Sequence, residues 1–220
     1  AQFTILDAPL ITRTWINEIL SGDLDGPAAP GAWRTWRQTG RCISLAAPPV
    51  IEFRTKVEQL PEDAEGLGML AAVHAHFSAD PYGFERFAVE VWRMVEPGVS
   101  EATVTRPTMD GGRDAIGVHS VGPTGDRIGV EFALEAKCYA ADNGVGVKEL
   151  SRLISRLLHR QYGVLVTTSY LGLQPYREVR EDGHPVVVVA GRDIVETLRS
   201  KQIGSVSEVE SWLRTRFPVT

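Results

Sequence analysis

The chain has 220 residues, 43% of them hydrophobic and 23% charged, which suits a globular protein with one well-filled domain or a compact core plus an appendage. No apolar run approaches the roughly 20 residues that span a bilayer, so a membrane-spanning helix is excluded. Cys42 and Cys138 form no CxxC pair, which excludes a zinc cluster and a disulfide framework, and the formal net charge of −5 gives no overall field that attracts polyanions.

The first residues, Ala1-Gln2-Phe3, include neither an initiator Met nor a basic stretch leading into an apolar one. A processed chain or an excised fragment is therefore expected, working in a reducing bacterial cytoplasm. Thr12 to Leu20 reads as a short helix, ended by the turn-rich Ser21-Gly22-Asp23-Leu24-Asp25-Gly26-Pro27. The segment Ala32 to Arg41 interleaves Trp33 and Trp36 with arginines. Such a mixture packs with snorkelling arginines, or stacks on bases and neutralises phosphates, and packing is the commoner use. After Pro48-Pro49, the spacing of Val50, Phe53, Val57 and Leu60 predicts a helix that Pro61 stops. Another is expected from Glu62 to Phe77. Residues 1–80 thus read as a mostly helical arm or subdomain, for dimerisation, linkage or DNA contact.

From Tyr82 the texture changes, and residues 81–220 read as a second domain. Phe84 to Val95 carries one apolar helical face. Strands are predicted at Glu101–Arg106, Ala115–Val121 and Ile128–Lys137, with Gly112 and Gly122-Pro123-Thr124-Gly125 turning between them. An amphipathic helix is expected from Val147 to Gln161, stopped by Gly163. Strands at Val164–Thr168 and Pro185–Ala190 follow, then helices at Asp193–Ser200 and Val206–Phe217. This order predicts an α/β fold, a mixed sheet flanked by helices.

Within the strands, Asp114 follows a Gly-rich bend, and Glu135 and Lys137 close the third strand. Period-two geometry puts Glu135 and Lys137 on one face, charged residues at the end of an otherwise apolar strand. Two carboxylates converging on one point make a hard oxygen site for Mg²⁺. An ion there polarises a phosphoryl oxygen and acidifies water, and a nearby lysine orients that water or steadies charge in the transition state. A lone Glu-x-Lys is usually a half-exposed salt bridge. Its pairing with Asp114, in this order of elements, favours phosphodiester hydrolysis.

The stretch Phe84 to Leu198 resembles the PD-(D/E)xK nuclease superfamily, and within it the Mrr-like restriction endonuclease catalytic domain. The resemblance is carried by Phe84-Glu85-Arg86-Phe87, Gly111-Gly112-Arg113-Asp114, Glu135-Ala136-Lys137 and Gly163-Val164-Leu165-Val166-Thr167-Thr168-Ser169. It implies a restriction-endonuclease-like core that cuts double-stranded DNA with Mg²⁺, for which Mn²⁺ can substitute. By position, Asp114 and Glu135 would be metal ligands, Lys137 the catalytic lysine and Glu85 an assisting acid. Many Mrr-like members carry Gln where Glu135 stands.

Lys148, Arg152, Arg156 and Arg160 recur every fourth residue, forming a basic stripe opposite an apolar face. Arg152, Arg156, Arg160 and Gln161 are the candidate DNA-binding residues, weighed against a solvated face whose arginines pair with acids. Isolated histidines, and the absence of a Ser-His-Asp order, phosphate loop or dinucleotide fingerprint, exclude several other chemistries. The expectation is a restriction-type endonuclease or its cleavage domain, with modified DNA one expected target. It would act as a homodimer or higher oligomer, since cutting two strands needs two sites, and an N-terminal DNA-recognition domain would lie outside this sequence. The rivals are a repair or recombination nuclease for branched or damaged DNA, and a catalytically inactive DNA-binding module.

Overall fold

The computed structural model describes residues 13–40, 54–105, 114–157 and 161–218. The chain divides into two compact units, residues 1–51 and 52–220. In the first, α1 (Arg13–Leu20) and α2 (Gly31–Thr39) flank a turn-rich stretch. Trp15 is buried and meets Trp33 edge-on at 5.8 Å, and Trp33 Nε1 donates to the Leu24 carbonyl at 2.7 Å. Trp33 is thus a packing residue, whereas Trp36 stays 42% exposed.

The second unit holds five strands in the order β1 (Val99–Val104), β2 (Ala115–Val121), β3 (Ile128–Lys137), β4 (Gln161–Thr167) and β5 (Val186–Val189). β1, β2 and β3 form an antiparallel meander, while β3–β4 and β4–β5 are parallel. The mixed sheet and its flanking helices are the restriction-endonuclease-like arrangement that the order of elements predicts. Phe132, Leu134, Val164 and Val166 face α4 (Ala64–Phe77), α5 (Pro81–Val95), α8 (Gly191–Ser200) and α9 (Val206–Arg216). Ala133, Leu165, Val186 and Val188 face α6 (Val147–Ile154) and α7 (Leu173–Glu181), the two crossover helices of the parallel half. Burial on both faces makes Phe132–Leu134 of β3 and Val164–Val166 of β4 continuous hydrophobic runs.

The unit that carries the sheet begins at Glu52 rather than at residue 81. The reason is α4, whose Met69, Leu70, Val73 and Phe77 are buried in the sheet's core. The expected helix from Val50 shrinks to α3 (Lys56–Gln59), because Thr55 caps it in a reciprocal box with Glu58; Val50 and Phe53 lie outside the described residues. Arg54 pairs with both Asp193 carboxylate oxygens at 2.8 Å and donates to the Val188 carbonyl at 2.8 Å. Gln59, only 1% exposed, accepts from Leu171 N at 2.9 Å and donates to Leu171 O at 3.1 Å. These contacts strap residues 54–60 across the sheet's parallel end.

The largest departure concerns the long helix. α6 ends at Ile154, Ser155 and Arg156 form a turn, and Gln161 already opens β4. Gly163, expected as a helix stop, pairs instead with Ala133 inside the sheet. A Cβ there would press on Leu153 at 3.1 Å and Val186 at 3.2 Å, so glycine lets α6 lie close on the strands. α7 was not foreseen: its buried face is only Pro175, Tyr176 and Val179 in an otherwise polar segment.

Candidate active site

Asp114 stands at the mouth of the β2–β3 hairpin. Its N–H donates to the Leu134 carbonyl at 3.1 Å, and its own carbonyl accepts from Thr105 N at 3.0 Å. Ala136 N donates to Asp114 Oδ2 at 2.7 Å, aiming the carboxylate at the end of β3. There Glu135, 1% exposed, accepts from Lys137 Nζ on Oε1 at 2.7 Å. Lys137 Nζ also lies 3.8 Å from Asp114 Oδ2 and donates to the Ala136 carbonyl at 3.0 Å. The predicted shared face of Glu135 and Lys137 is thus realised as a direct ion pair, and Asp114 joins it from the neighbouring strand.

The second oxygen of Glu135 is buried and accepts no hydrogen bond among the described residues, with Arg156 Nη1 3.7 Å away. A buried carboxylate oxygen without a donor is costly unless a cation completes it. Burial, then the Asp114 charge, raises the Glu135 pKa against the opposing pull of Lys137 and Arg152. Glu85, near the start of α5, is pushed up to about 7 by burial and then by Asp114, with Lys137 opposing and Glu135 reinforcing. Three acids therefore share one field, in which burial and mutual repulsion make ionisation of Glu85 and Glu135 less favourable despite Lys137.

Among the described residues, no three His, Cys, Asp or Glu side chains converge tightly enough to cage an ion alone. Two carboxylates suit an ion that keeps several of its own waters, as Mg²⁺ does. The donor set, the orphaned Glu135 oxygen and the raised affinity of Glu85 and Glu135 for protons all fit a divalent cation.

The strand end is locked from the β4 side. Thr167 Oγ1 donates to the Lys137 carbonyl at 2.9 Å, Thr168 Oγ1 to Tyr139 O at 2.7 Å and Ser169 Oγ to Asn143 O at 2.7 Å. All three side chains are buried. The sequence offered Thr167, Thr168 and Ser169 only as part of a resemblance. Three consecutive hydroxyl residues after an apolar strand were the signal for a polar latch, since buried hydroxyls need acceptors.

Of the basic stripe, Arg152 is exposed on α6 and its charge reaches Glu135. Arg156 lies past the helix end, against the same carboxylate. Gln161 is not brought to this end. It pairs with Glu131 across β3–β4, and its Nε2 donates to Glu131 Oε2 at 2.6 Å, four residues back along β3 from Glu135. Arg160, and the bend from Asp110 to Arg113, lie outside the described residues.

A family model described as restriction endonuclease, Mrr_cat, matches residues 77–198, the span from the end of α4 to α8. No curated protein matches the sequence. Among solved structures, the DNA modification-dependent restriction endonuclease AspBHI is 44% identical with a TM-score of 0.71, covering 96% of this chain and 55% of its own. The MspJI restriction endonuclease, solved with a 27-mer oligonucleotide, is 24% identical with a TM-score of 0.61, covering 92% of this chain and 48% of its own, and shows a shared fold. The chain spans about half the length of both.

Proposed function

The chain belongs to the Mrr-type restriction endonuclease family, and from that premise we propose that it is a Mg²⁺-dependent cleavage module that hydrolyses phosphodiester bonds of double-stranded DNA. The observation that carries this reading is the Lys137 ammonium, 2.7 Å from Glu135 and 3.8 Å from Asp114 on a buried strand end. Asp114 and Glu135 would hold the ion, with Mn²⁺ able to replace Mg²⁺. The ion supplies Lewis acidity toward a phosphoryl oxygen and a lowered pKa for attacking water.

The protein's own groups do the rest. The Ala136 N–H fixes the Asp114 carboxylate, so the site needs little rearrangement before DNA arrives. Lys137 is steered by Glu135 Oε1 and the Ala136 carbonyl. It would orient the attacking water and offset the charge that builds on the phosphoryl oxygens. Glu85 would assist from α5. Arg152 and Arg156 would meet the DNA backbone at the site's edge, and the same role is proposed for Arg160 and Gln161.

Cutting both strands requires two such sites, so a homodimer or larger homo-oligomer is proposed. AspBHI depends on DNA modification; the same dependence is proposed for the full protein, with recognition of the modified base carried by a domain outside this sequence. The test is cleavage of methylated and unmethylated plasmid in Mg²⁺, with Ca²⁺ as control and Lys137→Ala alongside. Metal-dependent cutting of unbranched plasmid that disappears in the variant supports the reading. DNA binding without cutting in any condition would replace it with a binding module.

A further inference from the structure

Arg86 follows Glu85 on α5, and a helix turns by about 100° per residue, so the two side chains leave in different directions. Glu85 meets the field of Asp114, Glu135 and Lys137, while Arg86 is exposed and has no ion pair among the described residues. Arg86, Glu90 and Arg93 form one stripe of α5. With Ala102 and Val104 of β1, and Arg216 at the end of α9, they line a groove of about 220 Å³. Arg93 Nη2 donates to the Ala102 carbonyl at 3.1 Å. Arg93 Nη1 and Arg216 Nη2 lie 3.9 Å and 3.7 Å from Glu90. Three guanidinium groups face one carboxylate, so the groove keeps an excess of positive charge in a chain whose net charge is −5.

Its position matters as much as its charge. Val104 pairs with Ala115, the residue after Asp114, and Arg86 follows Glu85, so one end of the groove lies beside the backbone positions that carry Asp114 and Glu85. The other end, at Arg93, lies about 10 Å further along α5 at 1.5 Å per residue. α5 packs on one face of the sheet and α6 on the other. Two basic surfaces therefore straddle the sheet end that carries Asp114 and Glu135.

We propose that this groove is a second DNA-backbone site, taking phosphates that flank the scissile one on the side away from α6. The proposal rests on the nuclease reading and extends it to a surface outside the catalytic cluster. One strand presents a charge about every 3.4 Å of helix axis, so a 10 Å stripe faces about three phosphates. Planar guanidinium groups suit phosphate oxygens. Glu90 holds Arg93 and Arg216 in place without neutralising the groove.

The test is equilibrium binding of a labelled duplex to the 220-residue chain in Ca²⁺ across a salt series. The chains compared are wild type, Arg86→Ala/Arg216→Ala and Arg86→Lys/Arg216→Lys. Arg93 is left alone because it also supports β1. The alanine pair is expected to raise Kd roughly tenfold at moderate salt and to reduce the slope of log K against log salt by about two, with an unchanged melting temperature. The lysine pair is expected to keep the slope. Wild-type affinity and slope in the alanine pair, while wild type cuts plasmid in Mg²⁺, would overturn the groove and leave the nuclease reading standing. A changed sedimentation mass with unchanged DNA affinity would assign the groove to a second copy of the chain and also overturn it. Wild type that neither binds nor cuts DNA would remove both.

Discussion

In the proposed mechanism, Lys137 is the residue on which the chemistry turns. Replacing it with alanine removes the only ammonium that touches both Glu135 and Asp114 among the described residues. Single-turnover cleavage should fall by about 10² to 10⁴, the range for a lost positioned proton-transfer or charge-stabilising group, while duplex binding in Ca²⁺ persists. The apo protein should also lose stability, because Glu135 stays buried without its partner. Metal addition gives an independent readout: Mg²⁺ or Ca²⁺ should raise the melting temperature by linkage, and Asp114→Asn should abolish most of the rise. The asparagine keeps an oxygen to accept from Ala136 N, so loss of the shift would report the ion rather than a broken hairpin.

At the scale of elements, the N-terminus of α4 and the strap over residues 54–60 carry two further predictions. Asp63 caps α4 through Gly66 N at 2.8 Å and pairs with Arg199 at 2.7 Å, and the Arg199 hydrogen bond, then the cap, hold its carboxyl well below the usual range. A depressed carboxyl contributes stability that is present above its unfolded value of about 3.9 and lost as pH falls through the depressed one. Asp63→Ala should therefore lower the melting temperature at neutral pH, and its deficit should shrink steadily in acid. Gln59→Ala should cost about 2 kcal/mol by denaturant titration, since the Leu171 N–H and carbonyl would both lose a partner inside the fold. Elements with a strong period were legible in the sequence: β2 and β3 run over Ala115–Val121 and Ile128–Lys137 as read. The end of α6 was not, because its basic stripe continues through the turn at Arg156 and the periodicity carries no mark where backbone pairing stops. Gly163 misled for a related reason, since a glycine that ends a helix and one that admits a helix onto a strand look alike in one dimension. α7 hid because a short helix with three buried residues has too little pattern to read.

At the scale of the whole molecule, the proposed single active site per chain would make double-strand cutting a property of assembly. Mixing wild type with excess Lys137→Ala should yield nicked circles rather than linear plasmid, and gel densitometry of the two forms would measure it. Linear product unaffected by the excess would mean that one chain cuts both strands in turn. The candidate site was more legible than its surroundings. Asp114, Glu135 and Lys137 are charged residues at places where a strand should be apolar or a hairpin should turn, and that conflict stands out in a sequence. Gln59 and the Thr167-Thr168-Ser169 latch conflict with nothing locally, because their partners are main-chain atoms supplied by distant segments. The groove beside α5 was equally hidden: Arg216 joins Arg86 and Arg93 only once the chain has folded back on itself.

β3 is held on both flanks, antiparallel to β2 and parallel to β4, with Leu134 opposite Ala115 and Val164 at once. A slip of one residue would carry Glu135 and Lys137 to the opposite face, and it would have to break two ladders together. A register slip of Glu135 and Lys137 is thus opposed by the same bonds that keep the sheet folded. An error of register at the site therefore costs the sheet itself. The register of Glu135 and Lys137 is thereby insulated from changes at surfaces that lie away from these two ladders.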